Sequence, residues 1–130
     1  MSFQYGEEAE KFEDLLQEIY IETQNNCPRL AIMGVRAVLE QVMIGKVGDQ
    51  GTFGRNLKAF ADAGYVSVVQ YDALTAILDA GHAVIHRGFS PKKEHLNTAL
   101  DVMEGILAAL YVHDQDVKGL QIPDRPRHGS

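Results

Sequence analysis

Residues 29–44 read RLAIMGVRAVLEQVMI, and wound as a helix they present apolar side chains nearly all the way round. Such a helix has no broad face to offer water, so other elements must surround it. Pro28 stands just ahead of it, where a first-turn proline sacrifices no intrahelical hydrogen bond. Arg36 and Glu40 are its polar exceptions, one turn apart. The stretch is therefore expected to be the central helix of an all-α fold.

The flanking segments supply partners for it. Upstream, Phe12, Leu15, Leu16, Ile19 and Tyr20 follow the spacing of one helical face, and residues 7–25 read as an amphipathic helix. Downstream, the glycine-rich loop 45–51 leads to a short helix over 52–63, capped by Thr52 and stopped by Gly64. Residues 65–71, YVSVVQY, are β-branched and read as an extended connector, because a lone strand would find no partner. A fourth helix is expected over 72–87, with Asp72 as its cap. Gly88, Phe89, Ser90 and Pro91 then mark a stop and a restart. A fifth helix over 91–112 carries the stripe Leu96, Ala99, Leu100, Met103, Ile106, Leu107 and Leu110. The expected architecture is a bundle of four main helices plus a shorter one. One domain over 1–115 precedes a polar, flexible tail over 116–130.

Length and charge narrow the function classes. A chain of 130 residues supplies one hydrophobic core, and its single cysteine, Cys27, makes no internal disulfide. No apolar run is long enough to span a bilayer, and the N-terminus lacks the pattern of a signal peptide, so a cytoplasmic location is expected. The net charge of −6 is local. Residues 1–25 hold seven acids and one base, which leaves eleven of each sign in the remainder. The basic stripe that drives general nucleic-acid binding is not visible, although Arg87, Lys92 and Lys93 form a small cluster.

The residues able to do chemistry concentrate at 79–89, DAGHAVIHRGF. At the helical turn angle Asp79, His82 and His86 fall within about 60° of one another. A metal site would use His82 and His86 with Asp79 or His113 as a third ligand, but two histidines four apart are a weak signal without more ligands. His86 suits proton transfer near neutral pH and lies in the last turn of its helix, where the dipole favours its charged form. Arg87 and Arg36 are the groups able to hold a phosphate beside it. The competing structural reading is that both histidines are interhelical or helix-end hydrogen-bonding residues. Arg36 likewise reads as one member of a buried ion pair with Glu40 or Asp79. No cofactor is expected, and Cys27 has no base near it in sequence.

The order of LLQEIYIET (15–23), RLAIMGVRAVLE (29–40), GTFGRNLKAFADAGYVS (51–67), AILDAGHAVIHRGFSP (76–91) and TALDVMEGILAALY (98–111) resembles the domain of unknown function 4145. That family is placed in the HEPN (higher eukaryotes and prokaryotes nucleotide-binding) superfamily. The resemblance implies an α-helical bundle that dimerises. Many superfamily members are metal-independent ribonucleases of toxin, defence or RNA-processing systems. Their signature is an Arg and a following His with four to six residues between them, facing the dimer interface. Here the His is His86, but the arginine positions hold Asp79, Ala80 and Gly81, and His82 replaces the polar neighbour of a related pattern. The expectation is a catalytically degenerate, homodimeric binding or regulatory module linked to defence or nucleic-acid metabolism, with RNA or a protein as partner. The alternatives are a ribonuclease using His86 with Arg87 or Arg36, and a metal-dependent hydrolase centred on Asp79, His82 and His86.

Overall fold

In the computed structural model the described residues, 12–113 and 119–120, form five α-helices and no strand. These are α1 (Glu13–Gln24), α2 (Pro28–Val47), α3 (Phe53–Asp62), α4 (Val68–Arg87) and α5 (Lys93–Leu107). The backbone of α5 continues as a π-helix over Ala108–His113. Residues 7–11 of the expected first helix, and all but 119–120 of the expected tail, lie outside the described residues.

α2 occupies the centre, as its all-round apolar pattern requires, and touches each of the other four helices. Ala31, Val35, Val38 and Val42 are completely buried along it. It runs one turn beyond the expected end at residue 44 and stops at Gly48, whose φ of +78° no longer suits a helix.

α1 crosses α2 at Gly34 and is tied to α5 from its other side. The Tyr20 hydroxyl donates to Glu104 Oε1 at 2.7 Å, and the Phe12 ring lies 6.1 Å from that of Tyr111. α3 begins where Thr52 Oγ1 accepts from the Arg55 amide at 3.2 Å. The loop before it is fixed by Asn56, a buried polar residue whose Oδ1 accepts from the Gln50 amide at 2.6 Å.

α4 differs from expectation at its start. It begins at Val68 and takes in most of the segment read as an extended connector. Ser67 accepts from the Gln70 amide at 3.1 Å while Gln70 Oε1 accepts from the Ser67 amide at 2.8 Å, a complete capping box. These two bonds satisfy donors at the helix start, and that local gain outweighs the modest β preference of Val68 and Val69. Both valines stand exposed on the first turn. The other end agrees with expectation, since Gly88 adopts the left-handed conformation with φ of +63°. α5 starts two residues after the buried Pro91, with Lys92 at the N-cap and no side-chain cap.

The α1–α2 crossing depends on the absence of a side chain at position 34. A Cβ there would lie 2.5 Å from Ile19 Cγ1, and Ile19 is buried with no free direction in which to move. Alanine improves helix propensity by about 1 kcal/mol over glycine, but forcing a methyl into a filled core costs about 1–3 kcal/mol. Because the obstructing atom belongs to a stiff β-branched side chain, the clash dominates. Gly34→Ala is expected to lower the thermal unfolding midpoint, measured by circular dichroism; an unchanged or higher midpoint would contradict this packing.

Candidate functional site

α2 and α4 run antiparallel, and two contacts fix their register. Arg29 on α2 reaches the end of α4, where its Nε donates to the carbonyls of Gly88 and Phe89 at 3.2 Å each and its Nη2 to Gly88 at 3.1 Å. This cation satisfies carbonyls left open at a helix C-terminus and complements the negative end of the helix dipole. Seven residues further along α2, Arg36 meets α4 at Gly81. Sequence reasoning did not single out Arg29, and no local pattern would have revealed a partner 59 residues away.

Arg36 is half-buried, and its stem runs across the face that Gly81 leaves open. A Cβ at position 81 would lie 2.9 Å from Arg36 Cδ. The guanidinium then rests over the Phe53 ring at 5.2 Å, a cation–π contact at the start of α3. Its Nη1 is buried and has no hydrogen-bond partner. The expected ion pair of Arg36 with Glu40 or Asp79 is not formed. The physical reason is direction: the side chain lies between α3 and α4, whereas Asp79 faces outward on α4 and is exposed.

His82 and His86 stand on that outward face. Both are exposed, with ring centroids 4.2 Å apart and planes tilted by 40°. They form a pair of neighbouring imidazoles open to solvent, not interhelical hydrogen-bonding groups. Among the described residues, no three His, Cys, Asp or Glu side chains gather closely enough to hold a metal ion. Asp79 therefore does not complete a ligand set with the two histidines, and the side chain of His113 lies outside the described residues. Arg87 is exposed and about 100° round the helix from His86. The structure thus brings His82 to His86 and Arg36 to Gly81, but it does not direct Arg36 Nη1 into solvent beside His86.

A family model described as "Domain of unknown function (DUF4145)" matches residues 17–125. The chain belongs to the DUF4145 family. The match runs through all five helices and includes Arg36, Gly81, His82 and His86, so the candidate site lies inside the DUF4145 unit. No curated protein and no solved structure matches the chain. Among the described residues of this DUF4145 domain, no helix is long and apolar enough to cross a membrane.

Cys27, at the α1–α2 junction, is held out of the reactive range. The thiol donates to the Asn25 carbonyl at 3.6 Å, and the nearby Glu22 carboxylate, which favours the protonated thiol and repels its anion, together with partial burial raises the thiol pKa above its ordinary value. The sign of a test follows directly. Removing the Glu22 charge lowers the thiol pKa and raises the thiolate fraction at a given alkaline pH. Iodoacetamide is expected to alkylate Cys27 slowly at neutral pH, and Glu22→Gln is expected to move the rate–pH curve to lower pH. A curve that does not move would show that Glu22 does not control this thiol.

Proposed function

We propose that the protein is a HEPN-like helical bundle acting as a homodimeric binding or regulatory module whose catalytic constellation is degenerate. The observation that carries this reading is an apolar patch along the α2–α4 seam. Leu30, Met33, Ile85 and Phe89 are exposed at 57, 37, 56 and 42 %. The antiparallel register places Met33 level with Ile85, between the Arg29 and Arg36 contacts, and His82 and His86 border the patch. Large side chains clustered at this exposure mark an interaction surface more often than a free one. A second copy related by a two-fold axis would cover the patch with the same patch.

The degeneracy follows from the guanidinium. No arginine stands at 79–81, and the nearest substitute, Arg36, has one terminal nitrogen sealed inside the protein. RNA or a protein of a defence or nucleic-acid system is the partner class suggested by the resemblance to HEPN proteins. Light scattering is expected to give about twice the chain mass of 14.4 kDa, and Ile85→Asp is expected to reduce it to a single mass. A wild-type monomer at micromolar concentration would overturn the dimer.

One observation favours a second reading, a metal-independent ribonuclease. Arg36 occupies the space that a side chain at position 81 would take, one of the positions where the superfamily signature carries its arginine. A guanidinium delivered there from α2 would need only its partly exposed end to reach a phosphate beside His86. Incubation with mixed RNA in excess EDTA separates the two readings. The degenerate module leaves the RNA intact; cleavage by the wild type that is lost in both His86→Ala and Arg36→Ala would establish the ribonuclease instead.

A further inference from the structure

We propose that the groove between α4 and α5 is a binding site for a small bicyclic aromatic carboxylate. The groove has a volume of about 310 Å³ and lies about 120° round α4 from His82 and His86, so it shares only Phe89 with the apolar patch of the dimer reading. Its floor is Ile32 of α2, one wall is Ala76 and Ala80 of α4, and Phe89 closes one end. His95 and Thr98 of α5 are the polar side chains among those lining it. An apolar cleft with a few convergent polar groups is the usual form of a small-molecule site, and about 300 Å³ is the lower end of the usual range.

The shape and the polar end select the ligand class. A cavity of about 150 Å³ holds one benzene ring, so twice that volume suits two fused rings. The alanines supply only methyl groups and leave a flat wall on which a planar ring can lie. The Thr98 hydroxyl already donates to the Glu94 carbonyl at 3.0 Å, which leaves it only as an acceptor and places the apolar body of the ligand at that level. The His95 imidazole makes no hydrogen bond among the described residues and stands in the first turn of α5, beside the groove. That helix start has no side-chain cap, so its first amides are open to an acceptor. Lys92 and Lys93 add two positive charges there, and Glu94 offsets one of them. Together, an imidazole donor, open amides and a net positive edge favour a carboxylate head over a neutral or cationic one.

The test is titration of the full chain with 2-naphthoate by calorimetry, beside 2-naphthylmethylammonium as the cationic probe of equal size. Wild type is expected to bind naphthoate saturably at one site per chain and the ammonium several-fold more weakly. Ala76→Phe places a ring in the groove from an exposed position and is expected to weaken naphthoate by about tenfold or more, with unfolding midpoint retained. Should that variant fail to fold, Lys92→Gln with Lys93→Gln on the exposed surface serves instead, and is expected to weaken naphthoate and strengthen the ammonium, narrowing the gap between the two probes. Absence of saturable naphthoate binding overturns the site. Binding unchanged in Ala76→Phe overturns its location, and equal affinity for the two probes overturns the carboxylate assignment.

Discussion

Everything in this fold depends on how closely α2 can approach its neighbours. A helix apolar on all sides gains stability only if every side is covered, and coverage at van der Waals distance needs room for the backbones to meet. Two glycines supply that room. Gly34 on α2 admits the Ile19 side chain of α1, and Gly81 on α4 admits the stem of Arg36 from α2. Filling position 34 would require the buried Ile19 to shift and filling position 81 the half-buried stem of Arg36, and close-packed interiors transmit such shifts instead of absorbing them. The two crossings are placed half a turn apart on α2, so α1 and α4 are seated from different directions while α3 and α5 complete the enclosure.

The Gly81 crossing also determines the chemistry available to the site. Arg36 is a long cation whose stem can lie against apolar surface while its head seeks polar partners. Here the head is drawn over the Phe53 ring, and one terminal nitrogen is left without a hydrogen bond. A buried donor without a partner is costly, by about 1–3 kcal/mol, and the cation–π contact offsets only part of that. The under-satisfied arginine is held between α3 and α4, while the histidine pair stands on the outward face of α4.

Much of the architecture was legible in the residues. The all-round apolar run of α2, the Thr52 cap, the Gly64 and Gly88 stops and the stripe of α5 all read through to the structure. The error at 65–71 came from weighing side-chain branching above capping: Ser67 and Gln70 form a reciprocal pair three residues apart, and Val68 and Val69 simply face water. The site was less legible, and the reason is physical. His82 and His86 are neighbours by helical spacing alone, so their proximity can be read locally. The partner of Arg36 is a gap, Gly81, and the partners of Arg29 are backbone carbonyls, neither of which leaves a charge or pattern to match. The α4–α5 groove is lined by residues of three helices and the loop between α4 and α5, a gathering that no local pattern announces.

α4 gathers these features because three of its faces, roughly 120° apart, meet three different surroundings. Gly81 faces α2 and takes the arginine; Ala76 and Ala80 face the groove; His82 and His86 face solvent. Only the Gly81 face is buried; Ala76 is exposed at the mouth of the groove and the two histidines face water. A body wedged between α4 and α5 would press on the same helix that carries Ile85 and the histidine pair at the α2 seam. Gly81 and Arg36 make the close approach between α4 and α2, where a Cβ at position 81 would lie 2.9 Å from Arg36 Cδ. The same glycine that lets α4 close on α2 thus fixes the direction in which α4 presents its other two faces, the groove and the histidine pair.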